Sequence, residues 1–362
     1  MELVRTTEEL RGLRFLEAPI ISVVSDEELE SRVRQQIEDE SEDLPADAAL
    51  YKLLGLLDED VDLAALLTDL YGEQVGGFYD GDTGELVVPM RDEGFSVFQR
   101  SVMVHELTHS LTDQQFGFNA VFVAMLDEDR LDESTAYKAL IEGDATLTQT
   151  LYLGSLARDE LDEFLAEATD VDTNAFDAAP AFIQDSLTFP YESGLEWVQQ
   201  QYLRDEWETV NAAYSAMPDL PGSTEQIITP ADYQRDLPRV VEVQPPSIPG
   251  YELTRESVWG EFGFRVMLDQ VLGEDVGAEA ADGWGGDYSA QWFDGENAAL
   301  LIVVEGDTES DTGELRSALR DYALDAVSDD DWARVEEIDG RVAFIAADEA
   351  EVGESILASI GG

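Results

Sequence analysis

The chain has 362 residues, with 20 Lys and Arg against 81 Asp and Glu, for a formal charge of −61. Such a field repels phosphate, so nucleic acid and anionic membrane surfaces are not expected partners. The absence of cysteine removes disulfides, thiolate metal sites and cysteine nucleophiles.

With 44% hydrophobic and 9% aromatic residues, the sequence still reads as globular rather than as an acidic tail. Its length suits one large domain or two ordinary ones. Only Lys52 and Lys138 are lysines; the other basic residues are Arg. So many carboxylates repel one another in a compact chain unless concentrated cations screen them. No run approaches the roughly 18 apolar residues of a membrane-spanning helix. The opening Met1-Glu2-Leu3-Val4-Arg5 lacks a signal pattern. The expectation is no direct membrane insertion, with the chain either cytoplasmic or targeted by a segment outside this sequence.

In chain order, Ala18–Val24 reads as a strand and Ser25–Glu38 as a helix with Ser25 or Asp26 as cap. Leu44–Tyr71 carries apolar residues at helical spacing, enough for two short helices. Residues 76–88, around Asp80-Gly81-Asp82-Thr83-Gly84, read as a β-hairpin. Phe95–Gln115 is a predicted helix stopped at Gly117, and after a short connection Asp132–Leu153 is a second long one. Further helices are expected over 160–168, 180–186 and 193–214, with Pro218, Pro221 and Pro230 marking an irregular stretch. The Pro-rich run 240–250 is the candidate linker. Beyond it, a helix over 255–272 precedes strands at 287–293 and 298–305, a helix at 313–324, strands at 335–338 and 341–346, and a helix at 349–360. That order predicts an α+β unit with an antiparallel sheet. The division is a domain at 1–240 and a C-terminal unit at 251–362, with packing of the two as one domain as the alternative.

The two histidines of the chain occur together, as His105-Glu106-Leu107-Thr108-His109. Two randomly placed histidines would fall four apart, with Glu after the first, in roughly one sequence in two thousand of this composition. On a helix, this spacing puts both imidazoles on one face, where they can share a zinc ion, and sets Glu106 beside it as a base. The alternative is an ordinary amphipathic helix.

A catalytic zinc needs a third protein ligand. No third His and no Cys exist, so it must be a carboxylate. Glu142, in Ala139-Leu140-Ile141-Glu142-Gly143-Asp144-Ala145, sits in an apolar stretch where an unpaired carboxylate is costly. Gly143 and Ala145 leave room for a neighbouring helix. Asp144 lies roughly 200° further around the helix, and Asp132 and Glu133 suit a helix N-terminus. Glu142 is the choice; pairing with an Arg is the alternative. Asp113, one helical turn after His109, is a candidate for orienting a ligand, or else bonds to an Arg or to backbone.

These residues, with Asp113-Gln114-Gln115-Phe116 after the histidines and Glu142-Gly143-Asp144-Ala145 later, resemble gluzincin-type zinc metallopeptidases. More narrowly, the chain resembles a group of metallopeptidase-like surface proteins of halophilic archaea. Gly77-Phe78-Tyr79-Asp80, Phe189-Pro190-Tyr191, Ser223-Thr224-Glu225-Gln226-Ile227 and Gly283-Trp284-Gly285-Gly286-Asp287 extend the likeness over roughly residues 10–290. Thr229 stands before Pro230 where such proteins often have His. The resemblance implies a zincin-like core with the metal-binding helix packed on a small sheet, and a cell-surface or secreted location. It also implies a peptide or protein substrate pairing with an edge strand, for which the hairpin at 76–88 is the candidate.

The expected activity is zinc-dependent peptide hydrolysis. Glu106 takes a proton from the attacking water and passes it to the leaving amine. Tyr191 and Tyr233 are candidates to stabilise the oxyanion. The alternatives are a non-catalytic surface binding or assembly module, and an intracellular halophilic protein without metal. The acidic runs Asp58-Glu59-Asp60 and Asp127-Glu128-Asp129 read as solvated faces, since they lack calcium-loop spacing.

Overall fold

The computed structural model describes residues 2–39, 43–73, 76–89, 94–169, 173–215, 220–231 and 233–360. The chain is α+β. It begins with α1 (Glu2–Arg11), β1 (Ile20–Val24), α2 (Asp26–Asp39), α3 (Leu44–Leu53) and α4 (Leu63–Glu73). The hairpin β2 (Phe78–Asp80) and β3 (Glu85–Pro89) leads into α5 (Val97–Phe116), α6 (Phe118–Asp127) and α7 (Leu131–Ser155). Then come α8 (Arg158–Ala168), α9 (Asn174–Ala178), α10 (Ala181–Asp205), α11 (Glu208–Ala213) and α12 (Thr224–Ile228). The C-terminal part holds β4 (Glu252–Ser257), α13 (Gly260–Leu272), α14 (Glu274–Ala281), β5 (Trp284–Phe293), β6 (Ala298–Gly306), α15 (Glu309–Asp325), β7 (Trp332–Ile338), β8 (Arg341–Ala347) and α16 (Ala350–Ile360).

A three-stranded sheet has the order β1-β3-β2, with β1 parallel and β2 antiparallel to β3. Leu86 and Val88 of β3 pack on Met103 and Leu107 of α5, so the His-bearing helix lies on this sheet. Ser96 starts α5 with a capping box to Gln99, and Gly117 ends it in the left-handed conformation. A second layer joins α6, α7, α10, α11 and α12 around Tyr137, Leu140, Trp197 and Val198.

The C-terminal sheet has the order β4-β5-β6-β8-β7, all antiparallel. Its central strand β6 is buried on both faces. Leu300, Ile302 and Val304 meet Leu50 of α3 and Leu54 at its C-cap, Phe264 of α13 and Leu319 of α15. Leu301 and Val303 face the core that contains Val241, Ile248 and Ile356. Residues on both sides of the 240–250 run therefore share one core, because α3 and α4 cover the sheet that the later residues form.

Several expectations are corrected. Residues 252–257 form β4 instead of the start of a helix. Pairing with β5, and Arg255 bound to Asp47 of α3, hold this segment extended. Pro190 does not separate two helices: α10 runs through it. One missing amide is outweighed by the packing of α10 against α7. Gly117 ends α5 but starts α6 at once, with Asp113 Oδ1 accepting the Asn119 amide at 3.0 Å. α1, α9, α12 and α14 are also additional. Pro218 lies outside the described residues. Among the described residues no helix is long and apolar enough to cross a membrane.

Candidate metal centre

Three helices build the centre. α5 presents His105 and His109 one turn apart, and α7 crosses it and presents Glu142. The crossing of α7 with α10 is close because both contribute glycine. A Cβ on Gly143 would stand 2.2 Å from the Gly194 carbonyl oxygen, and one on Gly194 would stand 2.1 Å from that of Ala139. Backbone-to-backbone contact of this kind admits no side chain. It seats Glu142 against α5 from behind.

His105 Nε2 lies 3.1 Å and His109 Nε2 3.4 Å from the same Glu142 Oε2. The three donor atoms are within 4.8 Å of one another. Both histidines are 7% exposed. Burial works against ionisation of Glu142, but the charges and hydrogen bonds of His109 and His105 outweigh it. They hold the carboxyl well below its usual range. The rings stand edge to face, 4.7 Å between centroids. Among the described residues, His109 Nδ1 is buried without a hydrogen-bond partner. Its ring is therefore set by packing on Phe118 and by what its Nε2 meets. Two imidazole nitrogens and one carboxylate oxygen are the donor set of a three-ligand zinc site with an open position, so the residues fit that ion.

Glu106 sits beside this group. Its Oε2 accepts the Tyr79 backbone N–H at 2.9 Å. Burial pushes its carboxyl up to about 7, helped by the Glu142 charge and opposed by His105 and the Tyr79 amide. Tyr79 is itself fixed, because its hydroxyl donates to Asp113 Oδ2 at 2.7 Å. Asp113 thus accepts from a tyrosine hydroxyl and, as the backbone alternative predicts, from the Asn119 amide, and among the described residues it meets no histidine and no Arg. It ties β2 and the start of α6 to α5, and acts on Glu106 through Tyr79. Sequence reasoning gave Tyr79 no role of its own; its signals were its place in the hairpin and in the Gly77-Phe78-Tyr79-Asp80 segment of the resemblance. β2 is an edge strand, as substrate pairing requires, but its Tyr79 amide is already committed to Glu106.

The two tyrosine candidates part company. Tyr191 of α10 stacks on His105 with centroids 6.1 Å apart, and is 42% exposed. Tyr233 packs edge-on to Trp197 in the helical core. Asp144 turns away from the histidines, as its position on the helix predicts. It accepts from Arg11 Nε at 2.6 Å and from the Tyr214 hydroxyl at 2.9 Å. Asp132 lies in the first turn of α7, at the helix N-terminus its sequence suits. It is buried, accepts the Thr224 amide at 3.1 Å, and joins α7 to α12. A cleft of about 330 Å³ opens beside Asp132, Arg130, Val241 and Tyr288, and none of the predicted site residues lines it.

The family described as "Domain of unknown function (DUF8575)" matches residues 250–354. That span is the C-terminal sheet unit and includes none of the residues around the histidines. No curated protein and no solved structure matches the chain.

Proposed function

We propose that the chain is a zinc-dependent peptidase with a gluzincin-type core. The observation that carries this reading is the convergence of His105, His109 and Glu142 from two helices, with Glu106 beside them and anchored by a backbone amide. A helix with paired histidines lying on a small sheet suits a zincin-like core, and the retained Glu106 is a group that a purely structural metal site would not need.

His105, His109 and Glu142 would hold the ion. A bound zinc supplies Lewis acidity, which polarises the scissile carbonyl and eases deprotonation of the attacking water. Glu106 has Oε2 occupied by the Tyr79 amide, which leaves Oε1 to take the proton and later give it to the leaving amine. Tyr191 stands beside His105 with an exposed ring, placed to donate to the developing oxyanion. The substrate is a peptide or protein. The acidic composition supports a halophilic origin, and the resemblance supports a place at the surface or exterior of the cell.

The test is hydrolysis of an unfolded protein substrate in molar salt. Activity should vanish on treatment with a zinc chelator and return with added Zn²⁺. A folded, zinc-loaded chain that cleaves nothing in a broad peptide library would leave a binding module on the same scaffold.

A further inference from the structure

The Ser223-Thr224-Glu225-Gln226 segment lies where the helical layer meets the large sheet. Ser223 caps α12, Thr224 binds Asp132, and Gln226 Nε2 donates to the Asp236 carbonyl at 2.6 Å. Glu225 differs from its neighbours. It is 6% exposed, yet among the described residues its carboxylate meets no hydrogen-bond donor and no cation. It points instead at two more acids: carboxylate oxygens of Glu225, Asp236 and Asp307 lie within 4.8 Å of one another.

The three acids come from α12, from the connection after it, and from the turn between β6 and α15. Glu261, 1% exposed, adds charge nearby; among the described residues its Oε1 makes no hydrogen bond, and its ion pair to Arg265 is 3.6 Å long. Arg239 reaches the edge of the group, 3.2 Å from Asp307, but shares its charge with Glu305 at 3.8 Å. Burial, together with the charges of Asp236, Glu261 and Asp307, pushes Glu225 up to about 9. Evolution of a solvated acidic surface does not explain a buried acid aimed at two others, because such a group is costly without a compensating charge.

We propose that Glu225, Asp236 and Asp307 bind a hard divalent cation, Ca²⁺, which clamps the helical layer to the large sheet at a site separate from the histidines. An all-oxygen donor set selects against zinc. Ca²⁺ takes oxygens at about 2.3–2.6 Å, so opposite ligands stand about 4.6–5.2 Å apart, a span that holds these three oxygens. Mg²⁺ demands near-ideal octahedral geometry at about 2.0–2.1 Å and keeps most of its waters, so three carboxylates from three separate segments suit the more flexible Ca²⁺ shell better. The two positive charges of the ion, with a share of that of Arg239, offset most of the negative charge of the three carboxylates. Backbone approach supports the clamp. Arg239 N donates to Gly285 O at 2.8 Å, and a Cβ on Gly286 would fall 2.2 Å from the Arg239 carbonyl oxygen.

The test uses the full chain, stripped of metal, in molar KCl, titrated with Ca²⁺ alone by calorimetry. The wild type and a His105→Ala/His109→Ala variant should each bind one Ca²⁺ tightly, with the melting temperature rising by a few degrees. Glu225→Gln and Asp307→Asn should each lose at least tenfold in affinity and most of that rise. Asp307 is 27% exposed. Its amide variant therefore keeps the test decisive if Glu225→Gln does not fold. Absence of Ca²⁺ uptake by the folded wild type would overturn the proposal. So would unchanged affinity in a folded Asp307→Asn. The histidine variant separates failure here from failure of the zinc reading.

Discussion

Replacing Glu106 by Gln should lower peptide hydrolysis about 10²–10⁴-fold, the usual worth of a positioned base, while zinc content stays at the wild-type level. Gln has the same shape and can still accept the Tyr79 amide through its carbonyl oxygen, so the hairpin and α5 keep their contact. What it cannot do is take a proton from water. The separation of the two readouts matters. A variant that loses zinc as well as activity would make Glu106 a structural support of the ligand helix. A variant that hydrolyses at the wild-type rate would remove Glu106 from the chemistry.

Asp144→Ala should cost about 3–5 kcal/mol of stability, because it leaves a buried guanidinium without its carboxylate. Both Arg11 and Asp144 are fully buried, 2.6 Å apart. Arg11 also donates to Asn211 at 2.7 Å and lies 4.2 Å over the Trp207 ring. The Tyr214 hydroxyl loses its acceptor in the same substitution. Pairing it with Arg11→Met should restore much of the loss, since an apolar replacement of a whole buried pair is often neutral. Chemical denaturation of the two variants in molar salt measures this. A buried pair is little screened, so the cost should persist at high salt. A single variant within about 1 kcal/mol of wild type would mean that the site collapses or admits water.

The histidine-bearing helix could be read in the sequence because its information is local. Apolar spacing, a terminal Gly and two histidines at one-turn separation all fall within residues 95–117. Glu142 could be read for a related reason: a carboxylate in an apolar helix beside Gly143 announces burial and close approach together. The α+β order of the C-terminal unit followed from strand-length apolar runs, such as 298–305, set between helical segments. What was not legible depends on partners distant in sequence. β4 is extended because β5 and Asp47 hold it, and nothing within 252–257 says so. α10 continues through Pro190 because α7 packs along it. The joint between Asp132 and Thr224 spans 92 residues. With 81 acidic residues, composition gives no means of telling the buried Glu225 from carboxylates that merely face water. Tyr79 was hidden differently, since it serves Glu106 through its backbone amide and Asp113 through its hydroxyl.

The central claim is that His105, His109 and Glu142 form one zinc site. Elemental analysis of the purified chain in molar salt, wild type beside Glu142→Ala, tests it most directly. The account predicts about one zinc per wild-type chain and its loss from the folded variant, since removing one of three protein ligands destroys the site. A folded wild-type chain that takes up no zinc from excess metal would contradict it, as would a Glu142→Ala chain that keeps its zinc.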